Sequence, residues 1–307
     1  MKVSTSQIFE RAMTQMSSQQ AKVADMQTKL ATGKQITRPS DDPEKAGVIQ
    51  RLTSANQRLE GYQNNITALK SRLATEESAL NASENIMQRM RELAVQAKSD
   101  TFSPADREII AAEVSALRDQ LVSLANSTDA SGNYVFAGAM TSTIPFAENA
   151  DGDMAYQGDN SRMVLDVSDQ RQLALNKPGN DVFSSVIRET SDGVSERVGF
   201  FAIIDDFTAA LENNDTDKIG ESLGELSDLT QGMAMALADV GSRMNIADSQ
   251  ADALVDTKAR YQALLSAAED LDYTSAITQL TAEIMSLEAG QSSFIKISQL
   301  SLFDYLR

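Results

Sequence analysis

The chain has 307 residues, enough for one to three compact units, and its 27 Lys and Arg against 44 Asp and Glu leave a net charge of −17, which disfavours nucleic acid as a partner. It has no Cys and no His, so most transition-metal ligands, the thiol nucleophile and the commonest general base are missing, while carboxylate-only chemistry survives that filter and must be judged from motifs. No apolar run of signal-peptide length follows Lys2 and no stretch approaches about 18 apolar residues, so neither an ordinary secretion signal nor a membrane span is expected, while the lack of Cys leaves the compartment open.

Heptad order is the strongest signal along the chain. In the first stretch Phe9, Met16, Val23 and Leu30 stand seven apart, with Met13, Gln20 and Gln27 in the partner seats. Half of that stripe is weak or polar, so this helix is expected to need a partner. Gly33, Pro39 and Pro43 interrupt the pattern, and Asp42 followed by Pro43 restarts a helix as N-cap and first helical residue. From there Leu52, Leu59, Ile66, Leu73, Leu80, Met87 and Ala94 repeat every seven residues. That predicts one unbroken helix of roughly 80 Å at 1.5 Å per residue. Glu76 and Ser83 interrupt its second row as solvated or register-setting positions. Ser103-Pro104-Ala105-Asp106 opens a third helix, with Ile110, Val114, Leu117, Leu121 and Leu124 in a 4-3 rhythm. The short turn before it predicts an antiparallel return along the second helix.

Residues 131–195 change character, with clustered glycines, Pro145 and Pro178 around short segments such as Tyr134-Val135-Phe136 and Met163-Val164-Leu165-Asp166-Val167. They predict a small β-rich domain inserted into a helical rod. Val198–Leu211 reads as a short helix. A long one follows, in which Ile219, Leu226, Met233, Val240, Ala247 and Leu254 hold the heptad. The phase is lost at Asp270-Leu271-Asp272, and a new register begins with Ile277, Leu280, Ile284 and Leu287, then Gln291 and Phe294. The expected fold is mainly α, a long antiparallel helical rod or coiled coil with paired terminal helices and a small inserted β-rich domain. Its expected parts are terminal helices 1–42 with 271–307, a rod 43–132 with 196–270, and an outer domain 133–195. The candidate assembly residues are Phe9, Met16, Val23, Leu30, Ile277, Leu280, Ile284, Leu287 and Phe294.

Chemical motifs fail on inspection. Gly33-Lys34 lacks the earlier glycine of a phosphate loop and has Gln35 where Ser or Thr is needed. Asp151-Gly152-Asp153 starts like a calcium loop, but Ala155 and Tyr156 occupy the next ligand seat and the glycine seat, so a turn is expected. Acidic pairs such as Glu76-Glu77, Asp205-Asp206 and Glu269-Asp270 fall on helices where adjacent side chains diverge. No catalytic, cofactor or metal residue is expected, and the Met residues on heptad seats read as packing.

The segments Ser4-Thr5-Ser6-Gln7-Ile8-Phe9, Leu30-Ala31-Thr32-Gly33-Lys34, Pro39-Ser40-Asp41-Asp42-Pro43, Met90-Arg91-Glu92-Leu93-Ala94-Val95-Gln96-Ala97, Asn133-Tyr134-Val135-Phe136-Ala137-Gly138, Ala276-Ile277-Thr278-Gln279-Leu280 and the run Leu300–Leu306 stand out along the chain. Together they resemble the flagellin-related family of bacterial axial proteins. Residues 140–195 carry none of it. The resemblance is closest to the branch of the family at the hook-filament junction. It implies a structural, non-enzymatic adaptor outside the cell, exported through the flagellar type III channel with an export chaperone. Implied partners are copies of itself, hook-associated protein 1, flagellin and the export machinery, with no nucleic acid and no membrane. A filament-forming flagellin is the alternative.

Overall fold

The computed structural model describes residues 5–150, 152–189 and 195–305. Ser4, Asp151 and Leu306, which belong to motifs named above, lie outside the described residues. The elements in chain order are α1 (Thr5–Thr32), α2 (Pro43–Ala97), α3 (Pro104–Ala125), β1 (Phe146–Glu148), β2 (Met154–Tyr156), β3 (Val164–Ser168) and β4 (Arg171–Ala174). After them come α4 (Gly179–Val182), β5 (Val186–Glu189), β6 (Ser195–Val198), α5 (Phe200–Glu212), α6 (Thr216–Glu269) and α7 (Tyr273–Tyr305). The fold is mainly α, with long helices and a small strand-containing part. Contacts divide it into two units, Met1–Arg58 with Asp256–Arg307, and Leu59–Val255.

The helix starts follow from local chemistry. The Asp42 carboxylate accepts from the Lys45 amide at 3.0 Å, which satisfies one of the free N–H groups at the head of α2, and Pro43 supplies a first residue that has no N–H to satisfy. Ser103 and Asp106 close a reciprocal capping box at α3, with Ser103 N–H donating to the Asp106 carboxylate at 3.0 Å and Asp106 N–H donating to Ser103 Oγ at 3.3 Å. The short helix α5 begins at Phe200 and not at Val198, because Val198 ends β6 and Gly199 takes the extended N-cap conformation.

In the larger unit, α2, α3, α5 and α6 share one core. It contains Leu73, Leu80 and Met87 of α2, Val114 and Leu121 of α3, Ile203 and Phe207 of α5, and Met233 and Val240 of α6. Ion pairs tie the same helices at the edges: Arg89 to Glu113 at 2.9 Å and Arg118 to Asp205 at 3.0 Å. Lys70 meets Asp248 at 2.5 Å and Glu76 meets Arg243 at 2.9 Å, so α2 and α6 run antiparallel. Glu76 and Ser83 are both fully buried, which removes the solvated reading of these two positions. Ser83 satisfies itself by donating to Ala79 O at 2.8 Å. Glu76 is reached by Arg243, and burial pushes its carboxyl up from the ordinary value against the pull of Arg243 and Arg72.

Among the described residues the β-rich part has three separate antiparallel hairpins, β1–β2, β3–β4 and β5–β6, with no sheet shared between them. Phe146 pairs with Tyr156, Leu165 with Leu173, and Val186 with Val198. Two-stranded hairpins are marginal alone, so other groups hold them. Tyr134-Val135-Phe136 is not a strand: beyond one bridge from Tyr134 to Thr128, its carbonyls are taken by other groups. Arg72 donates to Tyr134 O at 3.2 Å and Val135 O at 3.0 Å, while Tyr156 Oη and Gly179 N donate to Phe136 O at 2.9 and 2.8 Å. Burial pushes the Tyr156 phenol up to about 12, so it remains a donor. Phe136, Phe146, Tyr156, Phe183, Phe200 and Phe201 form one aromatic cluster, with ring centroids 5.1 to 6.1 Å apart. This cluster joins β1–β2, the end of α4 and the head of α5, which gives the β1–β2 hairpin the core it cannot make itself.

Phe183 sits at the centre of that cluster against Phe136, Phe146, Phe200 and Phe201. Phe183→Ala is expected to destabilise this unit by about 3–5 kcal/mol, measured as a lower midpoint of urea unfolding followed by circular dichroism.

Candidate functional site: the terminal helix pair

The two terminal helices α1 and α7 pack on one another. Phe9 and Phe294 meet edge to face, with ring centroids 5.5 Å apart and planes at 89°. The Gln19 side-chain amide donates to the Glu283 carboxylate in the same seam. Of the expected assembly residues, Phe9, Met16, Val23 and Leu30 are half-buried on α1, as are Leu280, Ile284, Leu287 and Phe294 on α7, whereas Ile277 is 55 % exposed. Phe9 and Phe294 are brought into direct contact.

The second row of α1 differs from the expected one. Met13, Gln20 and Gln27 are all exposed, Met13 by 62 %. The covered row lies one residue earlier, at Ala12, Gln19 and Met26, where Gln19 and Met26 are buried. Side-chain hydrophobicity favours Met13 over Ala12, but the position of α7 decides which side of the Phe9 row is covered. Ala276 on α7 is likewise buried while its neighbour Ile277 is not. The signal for Gln19 and Met26 is their own seven-residue spacing, in phase with Ala12.

The result is a helix pair with apolar side chains left outside the seam. Tyr273, Ile277, Met285 and Ile295 are more than half exposed on α7, as is Met13 on α1. Among the described residues no helix is long and apolar enough to cross a membrane, and no group of three or more carboxylates could hold a metal ion.

A short backbone joint fixes where the pair begins. Gly33 ends α1 in the left-handed region at φ +70°, and its amide donates to Lys29 O at 2.9 Å. The chain then pairs with the break between α6 and α7: Gln35 N donates to Glu269 O at 2.7 Å, and Leu271 N to Gly33 O at 2.9 Å. Lys34 and Glu269 form an ion pair across the same bridge. Asp272 restarts the chain as the N-cap of α7, accepting from the amides of Thr274 and Ser275. The Ser275 hydroxyl, followed by those amides, holds the Asp272 carboxyl below its ordinary value. A Cβ on Gly33 would sit 2.8 Å from Tyr273 Oη, so that exposed ring would have to shift, and the positive φ would strain the backbone in any case.

Residues 3–141 match the family described as the bacterial flagellin N-terminal helical region. Flagellar hook-associated protein 3 of Salmonella typhimurium is 29% identical, with 100% of both chains covered. Flagellin B of Vibrio cholerae is 36% identical, but over 37% of this chain and 30% of its own. The crystal structure of FlgL from Xanthomonas campestris superimposes with a TM-score of 0.62 at 23% identity, covering 71% of this chain and 99% of that one.

The joint yields a direct expectation. Gly33→Ala places a Cβ in the left-handed region, at a cost of about 1–2 kcal/mol. It is expected to raise hydrogen exchange of the Leu271 amide by roughly 5–30-fold, read by mass spectrometry at short labelling times.

Proposed function

We propose that the chain is a member of the flagellin-related family of bacterial axial proteins and, within it, the structural subunit joining hook to filament, between hook-associated protein 1 and flagellin. The observation that carries this reading is the end-to-end match to a hook-associated protein, against a flagellin match confined to part of both chains. A filament-forming flagellin is the second reading, favoured by the match of residues 3–141 to the flagellin N-terminal region. The role needs no catalytic group, and the protein is not an enzyme. It works outside the cell as part of the flagellum, after export through the flagellar type III channel with the help of an export chaperone.

In this reading, residues 1–42 and 271–307 are the inner, terminal-helix part, residues 43–132 and 196–270 the rod, and residues 133–195 the outer domain. Phe9, Met16, Val23, Leu30, Ile277, Leu280, Ile284, Leu287 and Phe294 are its assembly residues. The exposed side chains of Ile277, Met285 and Ile295 meet neighbouring copies, and the half-buried ones gain their full burial only there. The terminal helices therefore complete their folding on assembly, when apolar area leaves water.

Two experiments test these statements. A strain lacking the gene is expected to keep intact hooks, lose its filaments and release flagellin into the medium. Normal filaments would refute the junction role, and purified protein growing into long filaments by itself would favour the flagellin reading. In a dilute monomer, amides of residues 7–30 are expected to exchange far faster than those of the α6 core, and to become protected in the assembled junction. Strong protection of residues 7–30 in the monomer would sink folding on assembly.

A further inference from the structure

The helices α2 and α6 are built on evenly spaced seats. One buried row of α2 holds Ile66, Leu73, Leu80 and Met87, and one of α6 holds Leu226, Met233, Val240, Ala247 and Leu254, each at intervals of seven. Such rows match in the native register. They also match after a slip of one heptad, about 10 Å along the axis, because every apolar seat is again filled by an apolar side chain.

The second rows break that degeneracy. On α2 the row runs Leu69, Glu76, Ser83, Met90, and on α6 it runs Ser222, Leu229, Ala236, Arg243. Glu76 is 0% exposed and Arg243 9%, and they meet at 2.9 Å inside the core. Because the helices are antiparallel, a one-heptad slip sets Glu76 against Ala236 or Gln250, and Arg243 against Leu69 or Ser83. Glu76 would then stay buried with no hydrogen-bonding partner, the strongly unfavourable case for an ion pair, while Arg243 would keep only Asp239 of its own helix, 3.2 Å away, which moves with it and so cannot set the register. The other polar groups nearby do not set this register. Ser83 bonds to its own helix, and Arg72 bonds to the Asp129–Val135 segment. Lys70 and Asp248 lie at the solvent edge, where an ion pair contributes little.

We propose that the buried Glu76–Arg243 pair is a register lock, which selects one heptad alignment of α2 against α6 and adds little to net stability. An ion pair replaced by apolar side chains of similar volume often leaves stability unchanged or higher, whereas removal of one partner leaves a buried charge. The lock therefore makes two separable statements, one on stability and one on alignment.

The cysteine-free sequence allows a direct test. Spin labels on Lys70→Cys and Asp248→Cys, in the full chain, report the alignment through pulsed electron resonance distances. The labelled parent is expected to give one narrow distance, and Arg243→Leu alone to lower the urea midpoint. Glu76→Leu with Arg243→Leu is expected to restore the midpoint to the parental value or above, and to add a second distance population displaced by up to about 10 Å. The exchanged pair, Glu76→Arg with Arg243→Glu, is expected to return a single distance. A double leucine variant that keeps the single distance overturns the lock, and so does one that loses cooperative unfolding, because the pair would then be a stabilising contact.

Discussion

A helix that touches only one neighbour can cover only one stripe of its surface, and the terminal pair is organised by that limit. Along α1 the row Phe9, Met16, Val23, Leu30 is half-buried, and among the described residues burial is reached only at Gln19 and Met26. Apolar transfer is worth about 25 cal/mol per Å², so a row that keeps much of its area in water retains only part of that gain. The remaining order comes from geometry: the Phe9–Phe294 edge contact, the Gln19–Glu283 hydrogen bond and the bridge at Gly33 and Leu271. Each is local, and none replaces a second covered face. The pair specifies where α1 and α7 meet while leaving apolar side chains for other contacts.

The larger unit escapes the limit because its helices are covered on more than one side. Seats on α2 such as Leu69, Leu73, Leu80 and Met87 are fully buried, and α5, with Phe200, Ile203, Ile204 and Phe207 buried, lies deep in the same core. A core this well covered can tolerate charged seats, as at Glu76, Arg243 and Arg72, provided each finds a partner. The same seats in a two-helix pair would simply turn to water. Buried charge in one unit and exposed apolar side chains in the other are thus opposite consequences of how many neighbours a helix has.

The long helices are legible in the sequence because heptad spacing and caps are local. Asp42-Pro43 and Ser103-Pro104 mark their starts within a residue, and the lost phase at 270–272 marks the break before α7. Burial that depends on a distant partner is not legible in this way. Glu76 looks like a solvated interruption until Arg243, 167 residues away, is placed against it. Gln19 looks weaker than Met13 until Glu283 approaches from α7. Tyr134-Val135-Phe136 has the residue types of a strand, but its carbonyls bond to Arg72, Tyr156 and Gly179, which propensity does not register. The placement of the β1–β2 hairpin is likewise a tertiary outcome, set by the aromatic cluster it shares with α5.

Charge follows the same division. In sequence α1 carries three basic and two acidic residues, and α7 one basic and three acidic, so the two helices hold −1 of the chain's −17. Nearly all of the repulsion between copies must then arise from the remainder of the chain. Terminal helices that are close to neutral, and that keep Ile277, Met285 and Ile295 exposed, can approach one another without that penalty. Repulsion between the acidic remainders acts at longer range and weakens with salt, so it opposes association of free monomers more than it opposes short-range packing of the ends. The sequence thus keeps most of its acidic charge and the exposed apolar side chains of the terminal helices on different segments.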